Sequence, residues 1–406
     1  MRSRLICSLA LASLLFAPLL AAQTDEPIPP TPKGPEEPAP KTSEKPSEGI
    51  KFLTDFAAAK KLAEEQKKGL FIDFMAEWCG PCKMLDKDVW SDKGVAERVS
   101  RDYVPVKIDV DEQQELAASY EIMAMPTLII ADAQGNAKVR QVGAAFDNPK
   151  DALKWFDDIA VALKELPEAE KAFAESKNSD IAKGMKLAEV YGKLGLNSKA
   201  SKVCEDLING REEKDSTLVD VRIKLADLQL EEGDSSAALG QLKIALGLLA
   251  KDDKRQVDVK LKLMDCRMYE QETEGLQVEI EALYAELLKA KDERVLDAGM
   301  KWVQLVVWGS SSEDVDEKVT VENHKKARGL FLDCVKALEG SKRKVEGQFY
   351  AAYFGWEAGE KDAAKKEMQA VIEAKDAKWS KIATDVLKQW ENPEGEEKEG
   401  AEGDEG

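Results

Sequence analysis

The chain has 406 residues, too many for one ordinary domain and enough for two, and its hydrophobic content of 43% can supply a sizeable core. Its formal net charge of −19 argues against binding to nucleic acid, because phosphate contacts require basic patches. The same charge argues against binding to an anionic membrane surface.

The N-terminus has the pattern of a secretory signal peptide, residues 1–22. Arg2 and Arg4 precede an apolar run that is too short for a comfortable membrane span, and Ala22 offers a cleavage site. An uncleaved anchor is the alternative. Residues 23–49 are dense in proline and polar residues, which predicts an extended, mobile linker. We therefore expect a periplasmic or secreted protein.

The next hundred residues alternate between strand and helix patterns. Helical spacing of apolar residues, buried apolar runs and a hairpin signal together predict a mixed α/β sheet. The predicted helices are residues 54–68, 113–120 and 150–163, and the predicted strands are 70–75, 104–110, 127–131 and 137–142.

Two cysteines separated by Gly80 and Pro81 lie where the first predicted strand turns into a helix. Such a dithiol can close to a small disulfide. A thiolate at Cys79 would be favoured by the N-terminus of the helix, and Pro81 suits the first helical turn. Gly80 leaves Cys79 open to a partner, and Cys82 is expected to be the more buried resolving thiol. Trp78 flanks this exposed turn.

Two other interpretations of the cysteine pair are a zinc site and a structural disulfide. Zinc needs about four ligands, and the only histidine of the chain, His324, is remote in sequence. The sequence therefore predicts no metal at this pair. A structural disulfide remains the alternative.

Asp73 lies inside an otherwise apolar strand, six residues before Cys79. A buried carboxylate has a raised pKa and can accept a proton near neutrality, so Asp73 could help to deprotonate Cys82. Lys107 on a neighbouring strand is a possible charge partner. In the alternative interpretation, Asp73 faces solvent on an edge strand and Lys107 is solvated.

A proline directly precedes the predicted buried strand 127–131. Pro126 is well placed for a cis peptide bond. This bond would turn the backbone of Met125 toward the dithiol, where it could pair with an incoming substrate strand.

With these motifs in order, residues 51–165 resemble a thioredoxin-fold domain. The matching stretches are FIDFMAEWCGPCK, VPVKIDVDEQQELAASYEIMAMPTLII and ADAQGNAKVRQVG. The resemblance implies an attacking cysteine, Cys79, a resolving cysteine, Cys82, a buried acid, Asp73, its partner, Lys107, and a cis-proline, Pro126. The residues expected to contact substrate are Trp78, Gly80, Pro81, Met125 and Pro126.

The segment after the dithiol, KMLDKDVWSD, lacks the proline that usually kinks this helix in thioredoxins. In this respect the domain is more similar to the thioredoxin-like domains of extracytoplasmic thiol:disulfide interchange proteins. The resemblance implies protein substrates with disulfides, no cofactor, and an electron donor that is either a membrane protein or a soluble one.

Beyond Pro167 the pattern is helical and repeats, which predicts a helical-repeat domain over residues 166–390 and places the α/β domain at 50–165. Residues 254–340 have room for two further helix pairs, and the acidic tail 391–406 is expected to be disordered. The pattern resembles tetratricopeptide repeats, stretched beyond their usual ~34 residues. The recurring positions are Leu187, Gly195 and Ala200, then Leu225, Gly233 and Ala238, then Ala351, Gly359 and Ala364.

We therefore predict an α/β thioredoxin fold followed by an all-α solenoid that resembles tetratricopeptide repeats. The predicted protein is an exported protein-disulfide reductase or isomerase whose solenoid binds an unknown partner. The rival prediction is a chaperone-like client-binding protein in which the dithiol is secondary. Cys204, Cys266 and Cys334 are expected to be buried thiols, with a disulfide among them as the alternative.

Overall fold

The computed structural model describes residues 49–143, 146, 148–309 and 317–392. The predicted signal peptide, nearly all of the predicted linker and most of the acidic tail lie outside the described residues. The chain divides into two compact units: the first runs to Asn209 and includes Glu231–Gly233, and the second holds Gly210–Leu230 and the chain from Asp234 onward. Within the described ranges, no helix combines the length and the apolar character needed to cross a membrane.

The first unit contains a four-stranded mixed sheet with the strand order β2-β1-β3-β4. β1 pairs in parallel with β2 and antiparallel with β3, and β3 pairs antiparallel with β4. The mixed α/β sheet predicted from the sequence is therefore confirmed. The strands are β1, Gly69–Met75; β2, Tyr103–Asp109; β3, Thr127–Ala131; and β4, Ala137–Val142.

β1 is a central strand, and this explains its sequence. Residues 70–74 are all buried, because both faces of the strand are covered and a continuous apolar run results. On one face, the ring of Phe71 lies 5.5 Å from both the Trp90 ring and the Phe156 ring. Asp73 therefore lies within the sheet, which excludes the interpretation that places it on a solvent-facing edge strand.

The helices of the first unit cover this sheet and continue beyond it. Five helices belong to the α/β part, and two more follow. They are α1, Phe56–Gln66; α2, Gly80–Leu85; α3, Lys93–Asp102; α4, Gln114–Ser119; α5, Pro149–Glu175; α6, Ile181–Lys193; and α7, Asn197–Ile208, with a π-helical segment, Asp86–Trp90, directly after α2.

α5 is one helix of 27 residues with Pro167 inside it. The sequence ended this helix at residue 163 and placed the domain boundary at 165/166, a position that lies within the helix. Proline removes one helical hydrogen bond, but both halves of α5 are fixed by burial, at Ala162 before it and at Phe173 after it. The domain limits themselves stay a prediction.

The edge of the sheet at β4 contacts the turn between α6 and α7. The backbone N–H of Arg140 donates to the carbonyl oxygen of Leu194 at 2.9 Å. Gly195, with a φ of +65°, lies so close that a Cβ atom there would be 1.8 Å from the Arg140 carbonyl oxygen. This contact covers part of an edge strand that would otherwise expose unpaired backbone groups. The first helical hairpin is thus packed onto the α/β part of its unit.

We expect Gly195→Ala to weaken the β4 edge. The substitution requires the Arg140 carbonyl to move and an alanine to adopt a left-handed conformation, so the free energy of β4 opening should fall by about 2 kcal/mol or more. Hydrogen exchange of the β4 amides in the full chain measures this effect. Gly210→Ala is the matched control, because Gly210 also has a positive φ but no atom within 4 Å of its Cβ position. Equal protection of β4 in the two variants would contradict the assignment.

The described residues of the second unit form helices joined by short connections, and no strand lies among them. The described part of residues 254–340 contains four α-helices, α10 to α13, as many as two helix pairs require, and the pairing itself stays a prediction. The α-helices are α8, Val219–Glu231; α9, Ser235–Leu248; α10, Arg255–Tyr269; α11, Leu276–Ala290; α12, Val295–Trp302; α13, Glu317–Ala337; α14, Lys344–Glu357; α15, Lys361–Glu373; and α16, Trp379–Glu391. The last residue of α8, Glu231, is counted with the first unit.

Two ion pairs with a similar sequence spacing join helices of the second unit. Arg255 pairs with Asp220 at 2.6 Å across 35 positions, and Arg294 pairs with Asp258 at 3.0 Å across 36 positions. The same two arginines also bind the aspartate two residues before them, Asp253 and Asp292. An Asp-x-Arg signature thus marks the start of α10 and of α12. Sequence reasoning found the repeat through its small residues and missed this signature.

Candidate active site

The dithiol predicted from the sequence is a disulfide between Cys79 and Cys82, whose Cα atoms are 5.3 Å apart. It lies between the end of β1 and the start of α2. Cys79 caps this helix: its Sγ accepts a hydrogen bond from the backbone N–H of Cys82 at 3.2 Å, and Pro81 occupies the first turn. A negative charge on the Cys79 sulfur would be stabilised by the same N–H group and by the helix dipole.

The two cysteines are buried almost equally, at 4% exposure for Cys79 and 3% for Cys82. Cys82 is the more buried of the two, as the sequence predicts, but the difference in exposure is very small in this disulfide form. Both residues pack with Ala76, and the partly buried side chains of Met75 and Met125 pack against this cluster. The difference between the two sulfurs lies in their hydrogen bonding at the start of the helix.

Several side chains on the segments next to the disulfide in sequence, and one in the loop before β3, are exposed and apolar. Trp78 is 68% exposed, and its indole Nε1 donates to Asp111 Oδ2 at 2.8 Å, which fixes the ring. Gly80 and Pro81 are exposed beside it. Met84 and Met123 are 57% and 89% exposed. Sequence reasoning missed Asp111 and these two methionines; the Met-Ala-Met-Pro run could have pointed to Met123.

The peptide bond between Met125 and Pro126 is cis, as the sequence predicts. Met125 packs against the dithiol cluster and Pro126 is buried. Thr127 Oγ1 donates to the carbonyl oxygen of Ala124 at 2.7 Å, which ties the loop together directly beside the disulfide.

Asp73 is 3% exposed and lies opposite Lys107 in the β1–β2 register. Its Oδ2 accepts a hydrogen bond from the indole Nε1 of Trp90 at 3.2 Å and lies 3.6 Å from the Lys107 ammonium. Its Oδ1 is buried without a hydrogen-bond partner among the described residues. Burial is the main cause that raises the pKa of the Asp73 carboxyl to about 6, while Lys107 lowers it and Asp86 raises it.

Lys107 binds three groups rather than one. Its ammonium group makes its closest contact with Asp86 Oδ1, and it also lies 4.7 Å above the centre of the Phe52 ring. Sequence reasoning placed Lys107 beside Asp73 correctly, but it missed Asp86, Trp90 and Phe52. No sequence pattern distinguished Asp86 from the other charged residues of its segment.

The other cysteines of the described residues, Cys204, Cys266 and Cys334, are buried thiols. Burial raises the pKa of Cys266 and of Cys334 to about 11, so neither is a reactive thiolate at neutral pH. Within the parts of the chain that the structure covers, no group of three metal-ligating side chains is found. The chemistry of the described residues therefore concentrates at the Cys79–Cys82 pair.

We expect the stability of the first unit to depend on the ionisation of Asp73. Because its pKa rises from 3.8 to about 6 on folding, the folded state retains a proton that the unfolded state has lost between these pH values. Stability should therefore fall as the pH rises from about 4 to about 6, by about 3 kcal/mol in total.

In Asp73→Asn the side chain cannot ionise, so the variant should not lose stability as the pH rises through this range. Hydrogen exchange of the β1 amides, corrected for the intrinsic rate at each pH, should show a variant that is similar to the wild type near pH 4 and more stable above pH 7. A difference between the two proteins that does not change with pH would contradict a raised pKa at Asp73.

The family model described as Thioredoxin matches residues 50–156 of this chain. The thioredoxin of Mycoplasmoides gallisepticum is 35% identical over 108 residues, which are 26% of this chain and 96% of that protein. The thioredoxin of Bacillus subtilis is 37% identical over 93 residues, which are 23% of this chain and 82% of that protein. Among solved structures, oxidised mitochondrial thioredoxin 3 of Saccharomyces cerevisiae is 33% identical, with coverage of 27% and 94% and a TM-score of 0.21. Since the chain covers nearly the whole of a thioredoxin at this identity, it belongs to the thioredoxin family and is a thiol:disulfide oxidoreductase.

Proposed function

We propose that this protein is an exported protein-disulfide reductase or isomerase with a helical arm that binds a partner. The observation that carries the redox part is the Cys79–Cys82 disulfide, with Cys79 at the start of α2 accepting the N–H of Cys82. A disulfide in this position closes and opens without rearranging the sheet, because both cysteines belong to the turn that begins α2.

In the proposed reaction, the reduced protein attacks first through Cys79. Its thiolate attacks one sulfur of a substrate disulfide, the other substrate sulfur leaves as a thiolate and takes a proton, and a mixed disulfide remains. Cys82 then loses its proton, and its thiolate attacks the Cys79 sulfur. The products are the Cys79–Cys82 disulfide and a second substrate thiol, so the substrate gains two electrons and the dithiol loses them.

Asp73 is the proposed acceptor of the Cys82 proton. A carboxylate whose pKa is raised to about 6 is a stronger base than an exposed one, and it can exchange a proton near neutral pH. Its burial in β1, the strand that precedes the dithiol in the chain, supports this role. The Lys107 side chain balances the charge when Asp73 is ionised.

The direction of the reaction is proposed from the residues between the cysteines. Gly80 and Pro81 resemble those of reducing thioredoxins, whose potential lies roughly 150 mV below that of a strong oxidant, or about 7 kcal/mol for two electrons. We therefore favour reduction or isomerisation. A reductase outside the cytoplasm needs an electron donor to regenerate its dithiol, and a membrane or soluble thiol protein would supply those electrons.

Substitution of each cysteine separates the two proposed roles. Cys82→Ala should accumulate mixed disulfides with substrate proteins, because the attacking Cys79 remains and nothing resolves the bond. Cys79→Ala should trap few, and both variants should lose multiple-turnover reduction of insulin. Non-reducing electrophoresis after alkylation measures the trapped species.

Cys334→Ala is a useful control for this experiment, because it removes a buried thiol outside the pair and should change neither trapping nor turnover. Equal trapping by Cys79→Ala and Cys82→Ala would remove the asymmetry on which the mechanism depends.

Export and the helical arm complete the proposal. The sequence pattern of residues 1–22 supports transfer out of the cytoplasm. The repeated helix pairs of the second unit support an architecture like that of tetratricopeptide repeats, and such arrays commonly serve as binding surfaces. The proposed substrates are therefore exported proteins with disulfides, some of them selected by the arm.

Removal of the second unit should change which proteins the Cys82→Ala variant captures. A chain that ends at Asn209 keeps every residue of the dithiol site and the α6–α7 hairpin that contacts β4. We expect it to reduce insulin as the full chain does and to trap fewer periplasmic or secreted proteins. Mass spectrometry of the trapped species tests this, and an unchanged set of clients would make the second unit a spacer.

A further inference from the structure

We propose that Asp86 is a positioning residue of the redox site: it makes the closest contact with the Lys107 ammonium and so holds that cation at a longer, weaker ion-pair distance from the buried carboxylate of Asp73. The inference rests on the proposed function, since Asp73 is the acid that would take the Cys82 proton. Asp86 touches neither the dithiol sulfurs nor a substrate in this proposal. It acts through Lys107 and Asp73.

The geometry shows how the cation is shared. The Lys107 ammonium is in direct contact with Asp86 Oδ1, whereas its distance to Asp73 Oδ2 is 3.6 Å. Asp73 instead receives a hydrogen bond from a neutral donor, Trp90 Nε1. The buried carboxylate thus forms an ion pair with the cation at a longer distance than Asp86 does.

Solvent exposure explains why the cation prefers Asp86. The side chain of Asp86 is 40% exposed, and that of Asp73 is 4% exposed. Full pairing of Lys107 with Asp73 would take the ammonium further out of water, at a cost in desolvation, whereas pairing with Asp86 leaves both charges partly hydrated. The Phe52 ring on which the ammonium rests supports the same position.

The groups that face Asp73 come from each neighbouring element. From β2 the facing group is Lys107, from β3 the register partner is the uncharged Leu128, and from the π-helical segment the groups are Asp86 and Trp90. Lys107 lowers the pKa of Asp73, and Asp86 raises it. Asp86 therefore raises the pKa of Asp73 in two ways: its own negative charge repels the ionised carboxylate, and its contact with Lys107 holds the cation away from Asp73.

The same segment connects Asp86 to the dithiol. The backbone N–H of Asp86 donates to the carbonyl oxygen of Cys82, so the first residue of the π-helical segment is tied to the resolving cysteine. The last residue of that segment is Trp90, the hydrogen-bond donor to Asp73. The π-helical segment directly after α2 thus supplies both Asp86, which binds the Lys107 ammonium, and Trp90, the uncharged hydrogen-bond donor to Asp73.

Removal of the Asp86 charge should lower the pKa of Asp73. Lys107 would then have Asp73 as its nearest carboxylate, and the repulsion from Asp86 would be lost, so both effects favour the ionised form of Asp73. An opposite charge at this range shifts a carboxyl pKa by about 1 unit or more. The weaker base that results should accept the Cys82 proton less readily.

The test is a ¹³C-carboxyl NMR titration of Asp73 in the oxidised full chain, with Asp73→Asn used to assign the resonance. The wild type should titrate near 6, and Asp86→Asn should titrate about 1 unit lower or more. Asp88→Asn is the matched control, because it removes an equal charge from an exposed residue of the same segment and should leave the midpoint unchanged. Asp86→Glu retains the charge and should restore the wild-type midpoint.

An Asp73 midpoint in Asp86→Asn equal to that of the wild type would overturn the proposal. The pH profile of substrate release from the mixed disulfide, measured in a single turnover, separates this outcome from a failure of the proposed function. If Asp86→Asn lowers the NMR midpoint and leaves the pH profile unchanged, the positioning role of Asp86 is supported and the role of Asp73 as the proton acceptor fails.

Discussion

The burial of one carboxyl group, that of Asp73, is the constraint on which the redox site depends. Asp73 lies in the central strand of the sheet, in a run of five buried residues, where an ionised carboxylate is costly. Its neighbours reduce that cost only in part, through one indole hydrogen bond and a shared cation. Burial therefore raises the pKa of the Asp73 carboxyl to about 6, closer to neutral pH than that of an exposed carboxyl.

The position of the disulfide follows from the same strand. β1 ends at Met75, and the turn that leaves it brings Cys79 to the start of α2. The acid and the dithiol are thus fixed by one continuous piece of backbone. The π-helical segment after α2 then returns toward β1 and places Trp90 and Asp86 around the Asp73–Lys107 pair. Every group of the site except Lys107, Asp111, Phe52 and the loop 123–127 comes from residues 73–90.

Much of this site was predictable because its signals are local in sequence. A Cys-x-x-Cys pair at a strand-to-helix turn, a carboxylate inside an apolar run and a proline before a buried strand each have a direct physical meaning. Asp86 and Trp90 were not predictable, since their roles depend on how a π-helical segment directs side chains and no periodicity shows this. The near-equal burial of Cys79 and Cys82 likewise depends on packing by Met75 and Met125.

In the fold, too, short sequence patterns predicted some features, while features that depend on residues far apart in the sequence were not predicted. The mixed sheet followed from its apolar runs, whereas the continuation of α5 through Pro167 did not, because burial on both sides of a proline can outweigh one lost hydrogen bond. The contact of Gly195 with β4 joins positions that no short motif connects. In the second unit, the small residues of the repeat were visible, but the arginine–aspartate pairs across 35 and 36 positions were not.

The reduction potential of the Cys79–Cys82 pair in the full chain tests the central claim most directly. The protein is equilibrated in redox buffers of graded potential, its thiols are alkylated, and the labelled peptides are quantified by mass spectrometry. The account predicts one reversible two-electron transition confined to Cys79 and Cys82, with a midpoint between about −270 and −180 mV, the range of reducing and isomerising family members. A pair that does not cycle reversibly, or one that titrates near −120 mV as a strong oxidant does, would contradict the account.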